Sequence, residues 1–344
     1  MYQPKSFLPV MKTLADATIR LASRHKTYDP KQTVSLLGTP RGGTTILAQI
    51  VNQIPRTQVL WEPLRPNNNR ECQQAGFGWH HILDESDHDP KQYAYMRNLL
   101  SGEAIHWGTL YRKLFNPIDF LRSNRLIVKF VNANRILRWL SHNFPNPIVF
   151  MVRSPFAVVA SQLRHGGFQH SANGSLDNCK RDWIEERLVR EYPAVPTVYE
   201  RVDSVEEALA WNWCVDMLFA LQDIPESVFV MTYEELICYP ERTLSELFKY
   251  LELPLPHGAI DMLRSPSSTA SDGVEVAKPR QQIIRYKNRL SSTQIKNIER
   301  IIQEFGLHFY LDNDLPTHSE VEVSDGSIPR SRCHGKPTAL QTVA

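Results

Sequence analysis

The stretch VSLLGTPRGGTTILAQIVNQ, residues 34–53, constrains the fold of this chain more than any other segment. Val34 to Gly38 form an apolar run that ends in glycine and predicts a buried strand. Ile46 to Val51 begin an apolar helix, so the loop from Thr39 to Thr45 brings backbone N–H groups and a helix N-terminus to one point. Unpaired N–H donors and the helix dipole favour an anion there. An ordinary strand–turn–helix unit with incidental glycines is the alternative.

The loop does not match the phosphate-binding loop of nucleoside triphosphatases. Gly38 and Gly43 have the separation of the pattern G-x-x-x-x-G-K followed by Ser or Thr, and Thr45 fits its last position. Position 44, where that pattern has its lysine, is a threonine. The cation of this loop is Arg41, so the charge that such enzymes place near the β- and γ-phosphates is missing. The sequence therefore predicts an anion site for a different ligand.

Further apolar runs predict the strands of an α/β fold. Besides TVSLLG at 33–38 they are TQVLWE at 57–62, RLIVKFV at 125–131, PIVFMV at 147–152 and SVFVMTY at 227–233. Each is short and apolar on both faces, which is typical of a buried parallel strand. Helix-like segments alternate with them at 43–54, 133–143, 155–164, 205–222 and 240–251. This alternation predicts a doubly wound parallel sheet flanked by helices.

The other segments divide the chain around this sheet. Residues 1–32 are predicted to be an N-terminal helical extension, and residues 33–315 the main domain. The stretches 66–124 and 165–203 are polar and poorly periodic, so we interpret both as insertions or lids at the carboxyl edge of the sheet, where open α/β sheets bind ligands. After Leu315 the pattern is lost, and residues 316–344 are predicted to be a disordered tail.

Composition argues against several classes of function. A net charge of +2 over 344 residues provides no general surface for nucleic acid. The five cysteines are scattered, without the spacing of a zinc site or a CxxC pair, which favours a reducing, cytoplasmic location. No apolar run is long enough to span a membrane. We interpret Phe7 to Leu21 as an amphipathic helix packed on the domain, with peripheral membrane contact as the alternative.

The loop residues resemble those of the sulfotransferases that use 3′-phosphoadenylyl sulfate (PAPS). The 5′-phosphosulfate loop of that family reads Pro, Lys or Arg, Ser or Gly, Gly, and then two residues that are Ser or Thr. PRGGTT at 40–45 fits it at every position. The resemblance implies a P-loop NTPase-like sulfotransferase fold in which Gly42, Gly43, Thr44 and Thr45 hold the 5′-phosphate. Arg41 would then lie beside the oxygen that bridges phosphate and sulfate.

A second segment, IVFMVRSPFAVVASQLR, fits the 3′-phosphate motif of the same family. It has Arg153 at a predicted strand end and Ser161 eight residues later, in the following helix. Ser154 is a typical N-cap and Pro155 a typical first helical residue. The resemblance implies that Arg153 and Ser161 bind the 3′-phosphate of the ribose, with Arg164 as an additional charge. For this motif taken alone, a strand–helix corner with a solvated arginine is the alternative.

Two later segments extend the resemblance over about residues 33–310. VFVMTYEELICYPERTLSELFKYLEL at 228–253 resembles a family segment in which Tyr233 would contact the nucleotide, with a purely structural tyrosine as the alternative. IIRYKNRLSSTQIKNIERIIQEFG at 283–306 resembles the C-terminal segment near the nucleotide. This second likeness implicates Arg285 in nucleotide binding.

The sequence also contains two candidates for the leaving-group cations. Arg41 is one by resemblance. Lys129 is the other, since it interrupts the buried run of the third strand, where a lysine is costly unless an anion satisfies it. A lysine that extends from the strand end into solvent is the alternative.

The catalytic base is predicted from family precedent. Members that sulfate small phenols and steroids use a histidine two residues after the lysine, and Val131 stands at that position here. Members of the carbohydrate and tyrosylprotein type use a glutamate just after the second strand, where this chain has Glu62. Glu62 is therefore the predicted base, with a surface carboxylate paired to Arg65 as the structural alternative.

Three histidines are alternative bases, because they lie in the stretch that borders the expected acceptor site. They are His80, His81 and His106.

These motifs predict a PAPS-dependent sulfotransferase closer to the carbohydrate and tyrosylprotein type. It would sulfate a hydroxyl of a saccharide, lipid-linked or small-molecule acceptor and release 3′-phosphoadenosine 5′-phosphate (PAP), with no metal expected. A P-loop nucleotide or small-molecule kinase is one alternative, although position 44 lacks the lysine and no Mg²⁺-binding aspartate clearly follows a strand. A non-catalytic nucleotide-binding protein is the other, and the presence of Lys129 and Glu62 counts against it.

Overall fold

A computed structural model describes residues 7–24, 26–111, 113–165, 186–264, 278–311 and 313–322 of the chain. Within these residues, five strands form one sheet: β1 Val34–Gly38, β2 Thr57–Trp61, β3 Arg125–Lys129, β4 Ile148–Val152 and β5 Val228–Thr232. Their order is β2-β3-β1-β4-β5, and every neighbouring pair is parallel. Each strand lies within one of the apolar runs predicted from the sequence.

Helices join the strands and cover the sheet. The α-helices are α1 Phe7–Ser23, α2 Thr44–Val51, α3 Arg70–Gln74, α4 Pro90–Leu100, α5 Pro117–Arg122, α6 Leu137–Asn143, α7 Pro155–Arg164, α8 Glu186–Glu191, α9 Ala194–Glu200, α10 Val205–Leu221, α11 Tyr233–Cys238, α12 Pro240–Tyr250, α13 Pro279–Ile283, α14 Ser292–Phe305 and α15 His318–Glu322. Short 3-10 helices span Pro30–Gln32, Pro66–Asn68, Trp107–Thr109, Asn134–Ile136, Asp261–Arg264, Ile284–Asn288 and His308–Tyr310.

The two faces of the sheet bury two separate apolar clusters. Along β1, Leu36 belongs to one cluster and Leu37 to the other, because successive side chains of a strand alternate between faces. α2 and α12 cover the first face with side chains such as Ile50 and Leu247, and α7, α10 and α14 cover the second. Burial on both sides explains why the central strands are largely apolar. The predicted α/β fold with a doubly wound parallel sheet is confirmed.

The strand order reverses at β1, in the centre of the sheet. β1 pairs with β4, yet the helices that follow these two strands, α2 and α7, pack on opposite faces. In open α/β sheets a crevice forms outside the carboxyl ends of the strands at such a point. The loops after β1 and β4, which carry the two predicted phosphate motifs, therefore lie next to each other.

The stretch 66–124 is more helical than its polar sequence indicated. It contains α3, α4 and α5, and Met96, Leu99 and Leu100 of α4 are fully buried. α4 packs against β3, so this part of the stretch is a layer of the core. In the stretch 165–203, residues 166–185 lie outside the described part of the chain, and α8 and α9 follow them.

The N-terminal helix α1 is held on the domain by polar contacts. Nη2 of Arg20 donates to Oε1 of Glu71 at 2.8 Å, and the N–H of Trp107 donates to Oδ1 of Asp16 at 2.9 Å. Within the described residues, no helix combines the length and the apolar character that crossing a membrane requires.

The folded chain continues past residue 315. Val321 of α15 is fully buried, and the N–H of His318 donates to Oε2 of Glu235 at 3.0 Å. The prediction that a disordered tail begins at residue 316 is therefore wrong for 316–322, because Val321 supplies an apolar anchor that the polar composition concealed. Residues 323–344 lie outside the described part.

Candidate functional site

The loop after β1 forms a tight turn that leads directly into α2. The N–H of Gly42 donates to the carbonyl of Thr39 at 2.8 Å, and Gly43 is the N-cap of α2 with φ 103°. A side chain at position 43 would be strained, and its Cβ would lie 2.4 Å from Cδ2 of Tyr233. The first N–H groups of α2, which include those of Thr44 and Thr45, have no carbonyl partner within the helix. The turn therefore presents backbone donors at the carboxyl edge of the sheet, as an anion site requires.

Tyr233 closes this loop from the side of β5. Its ring packs on Gly43, and the guanidinium of Arg153 lies 4.0 Å from the ring centroid. Its hydroxyl accepts a hydrogen bond from Nε2 of Gln282 in α13 at 2.6 Å. One side chain thus joins the loop after β1, the loop after β4 and the C-terminal segment.

The two predicted phosphate motifs are in direct contact. Nε of Arg41 donates to Oγ of Ser161 at 3.0 Å, and Nη1 of Arg153 donates to the carbonyl of Arg41 at 3.0 Å. Nε2 of Gln162 donates to the carbonyl of Pro40 at 3.0 Å. Arg41 has φ 72°, in the left-handed region that residues other than glycine seldom adopt. Residues from two distant parts of the sequence therefore form one cationic site.

One hydrogen-bond donor of the Arg153 side chain is available to a ligand. Its Nε is buried and has no partner among the described residues, although Nη1 is bonded to the carbonyl of Arg41. Buried donors in native proteins are nearly always paired. An anion bound beside β4 and α7 would supply the missing partner.

Arg153 belongs to a group of arginines around Arg289. Burial and then the like charges of Arg285, Arg164 and Arg153 lower the pKa of Arg289, so these three side chains lie close enough to Arg289 to repel it. Such convergence is unfavourable unless an anion binds between them. The sequence predicts nucleotide binding by Arg153, Arg164 and Arg285 but not by Arg289, although the spacing of four residues between Arg285 and Arg289 in RYKNR was an available signal.

Glu62 and Lys129 form a buried ion pair at the carboxyl ends of β2 and β3. Nζ of Lys129 lies 2.6 Å from Oε1 of Glu62, and the side chains are 2% and 14% exposed. Nη1 of Arg65 donates to the other oxygen, Oε2, at 3.0 Å. The sheet register creates the pair, since Trp61 stands opposite Lys129 and Glu62 follows Trp61. Lys129 therefore does not extend into solvent, and Glu62 is not paired with Arg65 alone.

The charges of this cluster influence one another. Burial would raise the pKa of Glu62, but Lys129 and Arg65 outweigh it and hold the pKa below its usual value. Burial lowers the pKa of Lys129, although the Glu62 carboxylate opposes this effect. Burial and the charge of Arg153 lower the pKa of Arg41, and the Glu62 carboxylate opposes this change. Glu62 is thus ionised at neutral pH and lies within electrostatic reach of the loop after β1.

The ring of Trp61 is covered on both faces. Nζ of Lys129 lies 4.0 Å from its centroid, and Tyr111 stacks on it with centroids 3.7 Å apart. An ammonium and a parallel ring cannot share one face at these distances. Trp61 therefore fixes the position of Lys129 and offers no free face to a ligand.

The three histidines that the sequence indicated as alternative bases are engaged with other polar groups. Nδ1 of His80 lies 3.9 Å from Oδ1 of the buried Asp216. His81 shares a hydrogen bond with Gln92 of α4 at 2.8 Å, and His106 caps the 3-10 helix that follows it. Among the residues that the structure describes, no cluster of three or more His, Cys, Asp and Glu side chains could hold a metal ion.

A fourth histidine, His165, was not singled out from the sequence. It is the C-cap of α7. Burial and then the charges of Arg41 and Arg65 lower its pKa, while Glu62 opposes the change. Its position at the end of the helix that carries Ser161 was the available signal. The structure thus places His165 within electrostatic reach of Glu62.

Comparisons with known proteins point to one family. A family model described as "Sulfotransferase family" matches residues 34–257, which is more than half of the chain. The sulfotransferase domain from the curacin biosynthetic pathway is 17% identical with a TM-score of 0.42, and the match covers 82% of this chain and 98% of that chain. Mouse sulfotransferase SULT7A1, solved in complex with PAP, is 11% identical with a TM-score of 0.41, and the match covers 85% and 90%.

A third similar structure is retinol dehydratase in complex with retinol and PAP. It is 12% identical with a TM-score of 0.35, and the match covers 80% of this chain and 81% of that chain. No curated protein sequence matched the chain.

Proposed function

The chain belongs to the sulfotransferase family, and from that premise we propose that it transfers a sulfuryl group from PAPS to a hydroxyl group of an acceptor. The observation that carries the proposal is the contact between the two phosphate motifs, through Arg41, Ser161 and Arg153. A nucleotide with a 3′-phosphate and a 5′-phosphosulfate needs two anion sites close together, whereas a triphosphate needs one extended loop with a lysine.

The residues fit such a donor. Gly43 lets the ring of Tyr233 pack where a Cβ would otherwise lie. The N–H groups at the start of α2, in the turn from Arg41 to Thr45, can donate to the 5′-phosphate. Arg153, whose Nε has no partner in the described part of the chain, and Ser161 would bind the 3′-phosphate. The charges of Arg164, Arg285 and Arg289 favour an anion at the same point. Tyr233 would contact the nucleotide from its place between the two loops.

The ion pair at β2 and β3 suits the chemistry of the transfer. The acceptor oxygen attacks sulfur, the bond between sulfur and the bridging oxygen breaks, and PAP leaves with that electron pair. Glu62, ionised and close to the loop, takes the proton from the acceptor hydroxyl. Lys129 and Arg41 stabilise the charge that grows on the leaving phosphate. A glutamate base is the feature of the carbohydrate and tyrosylprotein type, to which we assign the chain.

We infer that the acceptor hydroxyl reaches Glu62 from the side of Arg65, because the Arg65 side chain is 42% exposed whereas that of Lys129 is 2% exposed. Because both faces of Trp61 are occupied, this ring does not stack on a sugar. Trp79 is half-buried beside Arg65, whose guanidinium lies 5.9 Å from its ring centroid. A saccharide, lipid-linked or small-molecule alcohol is consistent with this mixed polar and aromatic border.

Nucleotide calorimetry tests the donor. We expect PAP to bind more tightly than ATP with Mg²⁺, since the loop lacks a lysine at position 44 and the 3′-phosphate has its own arginines. Binding of ATP with Mg²⁺ but not of PAP would support a kinase instead. Transfer of radiolabelled sulfate from PAPS to fractionated metabolites then identifies the acceptor.

Glu62→Gln tests the base. The amide oxygen of Gln can still accept from Lys129, so PAP affinity should persist while sulfate transfer falls by about 10²–10⁴-fold. Glu71→Gln is the matched control, because it also removes a carboxylate from an ion pair, with Arg20, away from the proposed base. Near-normal transfer by Glu62→Gln would assign the base to a histidine, and His165 is a candidate because it lies within electrostatic reach of Glu62.

A further inference from the structure

Glu234 is a carboxylate buried next to the arginine motif of β4. It is 1% exposed and follows Tyr233 in α11. Its Oε1 accepts the N–H of Ser154 at 3.1 Å, and its Oε2 accepts the hydroxyl of Tyr310 at 2.7 Å. Burial raises the pKa of Glu234, and the positive charge of Arg153 is the strongest influence in the opposite direction. Glu234 therefore accepts a hydrogen bond on each carboxylate oxygen and has a cation nearby.

The contact with Ser154 fixes the peptide that follows Arg153. On the other side of the same peptide, the carbonyl of Arg153 accepts from Nε1 of Trp213 at 3.1 Å. Both ends of this peptide are thus held by side chains at the point where the chain leaves the sheet. The Arg153 side chain then lies over the ring of Tyr233, the residue before Glu234. Two consecutive residues of α11 hold the backbone and the guanidinium of Arg153.

A carboxylate at this place is unfavourable for anion binding in itself. It lies beside the N-terminus of α7 and near Arg153, a side chain that would attract a phosphate. Burying it also costs solvation free energy that its hydrogen bonds must offset. A buried carboxylate is expected here only if the contacts that it makes favour nucleotide binding more than its negative charge opposes it.

We propose that Glu234 is a positioning residue that holds Arg153 in the orientation that reads the 3′-phosphate of the nucleotide. The inference rests on the proposed function. Glu234 does not touch the nucleotide. It acts through the Ser154 peptide, which sets the direction in which the Arg153 side chain leaves β4, and the anchor at Tyr310 keeps the carboxylate in place.

The test compares two nucleotides that differ in the 3′-phosphate. Affinities of PAP and of adenosine 5′-monophosphate are measured by calorimetry for the full chain, for Glu234→Ala and for Glu234→Gln. We expect Glu234→Ala to weaken PAP about 10- to 100-fold, the factor expected for one hydrogen bond to a charged group, and to leave the monophosphate within about twofold. Glu234→Gln should restore most of the PAP affinity, because its amide oxygen can accept from Ser154.

Glu235→Gln is the matched control. This neighbouring carboxylate is also buried and also holds the C-terminal segment, through His318, yet it makes no contact with Ser154. It should weaken both nucleotides alike or neither. If Glu234→Ala does not fold, Glu234→Asp serves in its place, since the shorter side chain withdraws from Ser154.

The outcomes distinguish the positioning role of Glu234 from the proposed function of the protein. An equal loss for both nucleotides, or no loss for PAP, overturns the positioning role while the wild-type preference for PAP over the monophosphate stands. A wild-type chain without that preference overturns the proposed function itself.

Discussion

Replacing Lys129 by methionine tests the buried ion pair most directly. The substitution fills a similar volume but leaves the Glu62 carboxylate, which is 14% exposed, without its shortest contact of 2.6 Å. Removing one partner of a buried pair costs about 3–5 kcal/mol in unfolding free energy. The lower end of that range, about 3 kcal/mol, applies here because Arg65 retains its contact of 3.0 Å with the other carboxylate oxygen. The lost ammonium also removes a cation–π contact with Trp61, worth about 0.5–2 kcal/mol.

A double-mutant cycle measures the interaction free energy between Lys129 and Glu62. Unfolding free energies come from guanidinium denaturation followed by circular dichroism, for Lys129→Met, Glu62→Gln and the double variant. We expect the double variant to be more stable than the sum of the single effects predicts, by about 2–3 kcal/mol, since residues in contact are not additive. Additive effects would mean that the pair contributes nothing, and the reasoning from its geometry would fail.

The same variants distinguish the effect of the ion pair on stability from its effect on sulfate transfer. Lys129→Met should lower sulfate transfer by about 10²–10³-fold, the usual effect of losing one group that stabilises transition-state charge. The double variant should recover stability but remain inactive, because both the base and the cation are gone. Recovery of activity along with stability would show that the pair has only a structural role.

Two further predictions follow from the site. The ionised form of Glu62 is the active base, and Lys129 and Arg65 hold its pKa below the usual value. The acid limb of kcat/KM should therefore lie below the ordinary glutamate range and move to higher pH in Arg65→Ala, whereas a limb in the histidine range would exclude Glu62. Gly43→Ala should lose about 1–2 kcal/mol of stability from its left-handed backbone, and PAP affinity should fall as the new Cβ displaces Tyr233. Gly78→Ala is its control, since a Cβ there meets nothing within 4 Å, and equal PAP affinity of the two variants would contradict the close packing.

The sheet was predictable because burial on both faces leaves a simple mark on the sequence. The run PIVFMV at 147–152, for example, is apolar at every position. The helices between 66 and 124 were harder to predict, since their polar faces dilute the apolar period. Capping signals were nonetheless present. The side chains of Asp89 and Asn116 cap α4 and α5, and Pro90 and Pro117 are the first residues of those helices.

The candidate site was predictable only where single motifs carry it. Arg41 and Ser161 each lie in a recognisable segment, but their hydrogen bond depends on β1 and β4 being neighbours, which no local pattern states. The same is true of Glu62 and Lys129, whose pairing requires β2 beside β3. His165 belongs to no motif, and its proximity to Arg41, Arg65 and Glu62 depends on the fold.

The contact of the C-terminal segment with β5 has a consequence for any shortened form of the chain. β5 is the last strand of the described sheet, and an uncovered strand edge is a template for pairing with other chains. Here Oγ1 of Thr232 donates to the carbonyl of Pro316 at 3.3 Å, and α15 packs beside the strand. A truncation after Leu315 removes the residues that cover β5 and exposes a strand edge that favours aggregation. A truncation after Glu322 keeps β5 covered.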